Sequence, residues 1–269
     1  MTTANNARFN EEALSWDSNP SVQLATKLAH KAYLAHLPPP EILSTYDIMD
    51  LGCGTGLLSL ALAPSVRSVT AVDAAEGMIA ALRSKLEQPP APSTSTAPST
   101  TTTPNNSTTN PPATAPGPPT NIHPIHALLT DPSDPLLALD PLTHTPHPNR
   151  RFDLVVSHLV LHHIPDLPAF FALIHGCLRP GGGGRVMVTD FEDFGPDARK
   201  FHPESKMDGV ERHGIGRDMI REVMEGAGFV DVKVETAFEM AKEVETEPGS
   251  GVLGPVVVFP FLVCEGTRA

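Results

Sequence analysis

Residues 47–60 read DIMDLGCGTGLLSL. An apolar run at 46–51 meets three glycines, Gly52, Gly54 and Gly56, and a second apolar run at 57–63 closes at Pro64. The first run suits a buried strand and the second a helix. The glycines between them permit a sharp turn and a close backbone approach that a Cβ would resist. The expected unit is strand, tight turn, helix, and it repeats. A strand at 69–73 ends in Asp73 and precedes a helical pattern of Met78, Ile79, Ala81, Leu82 and Leu86. Further strands are expected at 122–129, 152–157 and 185–189, with helices at 168–178 and 217–227. Upstream, Val22, Leu24, Ala25, Leu28, Ala29, Ala32 and Tyr33 mark an amphipathic helix over 22–37 that stops at Pro38, Pro39 and Pro40. This alternation predicts an α/β fold, a doubly wound and mostly parallel sheet with helices on both faces. The last apolar runs, 229–238 and 256–264, have no helical pattern between them and should pair antiparallel.

The 269 residues suffice for one large α/β domain, and 1–269 is read as a single domain. Residues 88–120 hold ten prolines, fourteen Ser or Thr and no charged side chain, so ordering them would recover little free energy. They are read as a disordered insertion within that domain. Acidic residues outnumber basic ones by 31 to 19, for a net charge of −12, which leaves no broad phosphate-neutralising surface; nucleic acid is not an expected partner. Three widely spaced cysteines, Cys53, Cys177 and Cys264, argue for a reducing compartment. Residues 1–10 are polar and no apolar run reaches about 18 residues, so neither secretion nor a membrane is expected. The expectation is a cytoplasmic protein, monomer or homodimer.

The dinucleotide fingerprint would need glycine where Leu57 stands, and no Gly-Lys-Ser/Thr follows as in a phosphate-binding loop, so a pyrophosphate-bearing cofactor is disfavoured. A nucleoside without a phosphate chain fits better. Asp73, 21 residues beyond Gly52 at the end of the next strand, can accept hydrogen bonds from both ribose hydroxyls. Asp50, ending the first strand, is placed to meet a cation or an ammonium group.

DLGCGTGLLSL and VTAVDAAEGMI together resemble motifs I and II of class I S-adenosylmethionine-dependent methyltransferases. FNEEALSWDSNP, FDLVVSHLVLHHIPD and LRPGGGGRVMVTDF extend the resemblance over nearly the whole chain, toward the small-molecule branch that includes ubiquinone/menaquinone C-methyltransferases. That resemblance implies a seven-stranded Rossmann-like sheet with an antiparallel last strand. It also implies a reaction, the transfer of a methyl group from S-adenosyl-L-methionine to a small-molecule acceptor with release of S-adenosyl-L-homocysteine. Under it, Gly52, Cys53, Gly54, Thr55 and Gly56 flank the methionine and ribose, and Asp73 holds the ribose. Ala74 and Met78 pack on adenine, Thr130 and Asp131 reach its amino group, and Ser157 and His158 border the methionine end.

Transfer from a sulfonium needs an aligned acceptor and excluded water, and a base near neutral pKa helps if the acceptor is a phenol, thiol or carbon acid. His158, His163 and His213 are the candidates. His213 lies in a segment, 193–216, that could fold over the site. Against His163 stands a reading of LHHIPD as a structural helix start, and His162 is the weaker of that pair. Trp16 is a candidate to stack on cofactor or acceptor, and Phe9, Phe191, Phe194 and Phe201 are candidates for an apolar acceptor wall. His123/His126 and His144/His147 lack partners at zinc spacing, and no metal site is expected. Two rival functions stand beside the small-molecule enzyme: methylation of a protein side chain docked on 193–216, and cofactor binding without turnover.

Overall fold

The computed structural model describes residues 3–88, 117–140 and 142–269, so most of the proposed insertion, 89–116, lies outside the described residues. The described chain forms a seven-stranded sheet in the order β3-β2-β1-β4-β5-β7-β6. The strands are β1 (Asp47–Leu51), β2 (Ser68–Asp73), β3 (Ile122–His126), β4 (Leu154–His158), β5 (Gly184–Phe191), β6 (Phe229–Glu245) and β7 (Leu253–Arg268). The helices are α1 (Thr3–Trp16), α2 (Pro20–His36), α3 (Pro40–Leu43), α4 (Leu57–Leu62), α5 (Glu76–Glu87), α6 (Leu167–Cys177) and α7 (Arg217–Gly226). β1 to β5 pair in parallel, whereas β7 runs antiparallel to both β5 and β6. This is the mostly parallel, doubly wound architecture expected from the alternation.

The central strands are apolar along their length because both faces are covered. Every residue of β1 and β2 is buried. One core lies beneath α6 and α7 and includes Phe152, Phe171, Ile220 and Phe229; the other lies beneath α2, α4 and α5 and includes Tyr33, Leu62, Ile79 and Leu82. Tyr33 anchors α2 across the sheet, since its hydroxyl is 2.8 Å from the Ser157 carbonyl and 2.9 Å from Thr189 Oγ1 in a fully buried position. Local caps set the helix starts: Asn19 accepts from Ser21 N–H at 3.0 Å before α2, and Asp166 from Ala169 N–H at 2.9 Å before α6.

Two elements exceed their sequence signal. β6 and β7 continue well past 238 and start before 256, with Glu245 still paired to Leu253. The extension is held by ladder hydrogen bonds and by Met240 and Val244, which are buried in an apolar cluster with Phe201 and Phe259, while Leu253 at its other end is exposed. The third strand, by contrast, ends at His126 instead of 129, its last tie being Ala127 N–H to the Asp73 carbonyl at 2.9 Å. The N-terminal residues form a full helix, α1, which was not among the expected elements.

Candidate functional site

β1 lies between β2 and β4, where the strand order reverses, and the crevice outside the carboxyl ends of strands at such a point is where open α/β sheets take ligands. The glycine turn leaves β1 there. Gly52 and Gly56 have φ of +77° and +80°, and a Cβ would meet Val160 at 2.5 Å on the first and Leu82 at 2.4 Å on the second. Gly54 differs: its φ is +54°, and the nearest atom to an added Cβ is Met78 Sδ at 4.0 Å. The outer glycines therefore serve close packing, while the middle one keeps a wall of the cavity low.

Asp73 closes the turn. Its Oδ2 accepts from Gly54 N–H and its Oδ1 from Ala75 N–H, each at 2.8 Å, so the carboxylate is fixed with lone pairs to spare. Burial raises its pKa, and these backbone donors pull the other way. Asp50 accepts from the Ser59 hydroxyl at 2.6 Å and is buried; desolvation pushes its pKa up to about 7, with Asp73 adding to the rise. Cys53, between them, is held well above the ordinary thiol range by burial and stays protonated.

α1 roofs this half. Phe9 packs edge-on to Trp16 at 5.8 Å and to His163 at 5.3 Å. Asn10 Oδ1 accepts from Gly77 N–H at 2.7 Å. Asp17 ties the roof to the glycine turn, accepting from Thr55 Oγ1 at 2.5 Å and pairing with Lys85, which also donates to the Thr55 carbonyl at 2.7 Å. Arg8 donates to the carbonyls of Lys206 and Asp208, both at 2.8 Å, joining α1 to the segment after β5.

The second half of the cavity is lined by histidines. His158 Nδ1 sits 2.8 Å from Thr189 Oγ1, and its Nε2 is buried without a hydrogen-bond partner among the described residues. Burial pushes the pKa of His158 down to about 4 and that of His163 to about 3. His162 Nδ1 lies 2.9 Å from both oxygens of Asp190 on β5; burial would raise the Asp190 pKa, but the His162 ring together with the backbone N–H groups of His162 and Phe191 holds it below the ordinary carboxylate range. His202 and Lys242 complete the wall. Lys242 donates to the Phe201 carbonyl and lies 4.4 Å from that ring; burial first, and then Lys206, lower it to about 8.

Both halves open into one cavity of about 700 Å3, inside the range of about 300–1,000 Å3 usual for small-molecule sites. Of the residues singled out in the sequence, Phe9, Trp16, Asp50, Gly52, Cys53, Gly54, Thr55, Asp73, Met78, His158, His162, His163 and Phe201 line it, whereas Phe191 and Phe194 do not. Gly56 stands just behind, capping α4. Ser157 is buried in the sheet with its hydroxyl on the Leu51 carbonyl at 2.7 Å, and Ala74 sits beyond the wall with its carbonyl 3.2 Å from His126 Nε2. Thr130 and Asp131 are exposed, with Asp131 capping Ser133 N–H at 2.7 Å; the shorter third strand leaves them outside the cavity. His213 is exposed and also lies outside it, because its segment turns back to β5 through the pairing of Glu192 with Ile215. Missing from the sequence reading were Asp17, His202, Lys242 and Asp190, and His162 was ranked too low. A carboxylate 28 residues from its histidine leaves no local trace; the adjacent histidines of LHHIPD were the one available signal.

A family model described as a methyltransferase domain matches residues 22–234. The chain is 30% identical over 90 residues to a phosphoethanolamine N-methyltransferase of Triticum aestivum, a stretch that is 33% of this chain and 17% of that protein. Among solved structures it is similar in fold to a protein of Bacillus halodurans C-125 described as a methyltransferase, with a TM-score of 0.54, 15% identity, and coverage of 90% of this chain and 98% of that one. It is likewise similar to DhpI in complex with S-adenosylhomocysteine, with a TM-score of 0.52, 18% identity, and coverage of 96% and 93%. A third structure is magnesium protoporphyrin IX methyltransferase of Synechocystis PCC 6803 with bound S-adenosylhomocysteine, with a TM-score of 0.50, 15% identity, and coverage of 92% and 83%.

Proposed function

The chain belongs to the methyltransferase domain family, and from that premise we propose that it is an enzyme that transfers a methyl group from S-adenosylmethionine to a small-molecule acceptor. The observation that carries this reading is the pairing of Asp50 and Asp73 around the glycine turn. Two buried carboxylates at the carboxyl ends of β1 and β2 repel a diphosphate and favour a ligand that is cationic at one end and offers sugar hydroxyls at the other. Asp73, already oriented by two backbone N–H groups, would hold the ribose. Asp50 would face the cationic end, the Gly52–Thr55 backbone the methionine, and Met78 the adenine.

S-adenosylmethionine supplies a methyl group already activated by positive sulfur. This chain contributes alignment and exclusion of water: α1 closes the cavity through Phe9 and Trp16, and the histidine half supplies the acceptor's berth. With pKa values of about 3 and 4, His163 and His158 remain neutral and are weak bases at neutral pH, so positioning supplies more of the rate than proton removal by either ring. We place the reaction in the cytoplasm, consistent with three free, buried cysteines, and assign the protein a monomeric or homodimeric state. No helix among the described residues is long and apolar enough to cross a membrane.

Calorimetric titration with S-adenosylmethionine, S-adenosylhomocysteine and NAD tests the cofactor. Saturable binding of the first two and not of NAD is expected, and the reverse would overturn the reading. Labelled methyl transfer to a metabolite panel and to a protein lysate tests the acceptor. Label in a metabolite supports the proposal, label only in protein moves it to side-chain methylation, and binding without any product leaves a non-catalytic binder.

A further inference from the structure

Beyond the methyl-transfer half of the cavity, three imidazoles from distant parts of the sequence converge. His162 and His163 follow β4 on a single 3-10 turn, Leu161–His163, and His202 follows the 3-10 turn Pro196–Phe201. One ring nitrogen of each lies within 4.8 Å of those of the other two, and all three rings line the cavity. We propose that His162, His163 and His202 bind one divalent transition-metal ion of the zinc class, with a coordination position open toward the acceptor half of the cavity.

Hydrogen bonds fix the tautomers of two of the three rings. His163 Nδ1 lies 2.8 Å from the Gly209 carbonyl, which can only accept, so Nδ1 carries the proton and Nε2 keeps its lone pair. His162 Nδ1 faces the Asp190 carboxylate at 2.9 Å with the same consequence. Donation of the second ring N–H to a carbonyl or a carboxylate is the arrangement that orients metal-binding histidines and strengthens them as ligands. Three nitrogen donors with a fourth position free is the pattern of catalytic zinc sites. Nitrogens at about 2.0–2.1 Å from a tetrahedral zinc stand about 3.4 Å apart, so ring nitrogens now within 4.8 Å of one another would close by up to about 1.4 Å on binding.

The surroundings exclude competing water. Phe191 packs on His162 at 5.1 Å and stacks on Phe201 at 4.2 Å, Phe201 meets His202 at 5.0 Å, and Phe9 covers His163. Arg8 and Lys242 line the same cavity and oppose a further cation, while Asp190 beneath His162 offsets part of that charge. The metal's own charge suits an anionic oxygen or sulfur in the open position. A phenol or thiol acceptor bound there would release its proton to solvent and present its anion.

The test uses the full chain after treatment with EDTA, titrated with Co2+ by visible absorption and with Zn2+ by calorimetry. Expected are one equivalent of Co2+ with the intense absorption of a tetrahedral site, and its displacement by Zn2+. His202→Gln and His163→Gln should abolish the tetrahedral signal. Asp190→Asn should weaken affinity about 10- to 100-fold by releasing the His162 tautomer, and the exposed His213→Gln should change nothing. Absence of saturable binding, or an unchanged Co2+ spectrum in folded His202→Gln, would overturn the proposal. Thermal melts identify variants that are folded. S-adenosylmethionine titrations on the same EDTA-treated sample separate the two readings: retained cofactor binding with no metal site sinks only the metal, and lost cofactor binding sinks the methyl-donor reading whatever the metal does.

Discussion

Asp50→Asn isolates the charge that the proposed cofactor would meet. The replacement is nearly isosteric, and an amide oxygen can still accept from Ser59 Oγ, now 2.6 Å away. Moving an aspartate from its ordinary 3.8 to about 7 corresponds to about 4 kcal/mol against its ionised form in the folded chain. The raised pKa means that the folded state holds a proton the unfolded state has released. Without ligand, stability is therefore fullest below about pH 4, falls as pH rises toward about 7, and levels off above it. A cationic ligand reverses the preference, because the carboxylate must ionise to face it. S-adenosylmethionine should then bind with release of a proton below pH 7, its affinity falling by up to about tenfold per pH unit on the acid side. Asp50→Asn should remove that slope and weaken binding at pH 8, yet raise the stability of the ligand-free protein there by up to about 4 kcal/mol. Calorimetric titration reads the binding effect, and urea denaturation between pH 5 and 8 reads the stability effect. The variant also subtracts the ligand's own titration. Equal pH slopes in parent and variant would refute the assignment of Asp50 to the cationic end.

Asp73→Ala removes the acceptor of two backbone N–H groups as well as the proposed ribose contact, so S-adenosylmethionine affinity should fall about 100-fold or more and urea stability by about 2 kcal/mol or more; unchanged affinity would take Asp73 out of the site. Gly56→Ala places a methyl 2.4 Å from Leu82 at φ +80° and should cost about 1–3 kcal/mol in urea melts, whereas Gly54→Ala should cost about 1 kcal/mol and act chiefly on cofactor affinity. Equal stability losses at the two positions would show that both glycines serve packing. Asp17→Ala frees α1 from Thr55 and Lys85; faster hydrogen exchange in α1 and a higher KM for S-adenosylmethionine are expected, with a global stability change within about 1 kcal/mol. Unaltered exchange in α1 would mean that Arg8, Phe9 and Asn10 hold the roof without Asp17.

What could be read from the residues in order was whatever local chemistry encodes. Apolar period and glycine placement marked β1, β2, β4, α4, α5 and α6, and the lack of a helical pattern near the end foretold the antiparallel pair. The same local signals pointed to Asp50, Asp73 and the turn between them, because a strand end and its following turn are neighbours in sequence. Where contacts join distant segments, the residues alone fell short. His213 shares a loop with the cavity wall yet points to solvent, and Thr130 and Asp131 depend on a strand that ends early. The roof over the cavity rests on Asp17 meeting Thr55, and the histidine cluster on His202 reaching a turn some 40 residues upstream. Such meetings are set by how β5, α1 and the 196–206 segment fold over one another, and no periodicity within a segment records which distant partner it will meet.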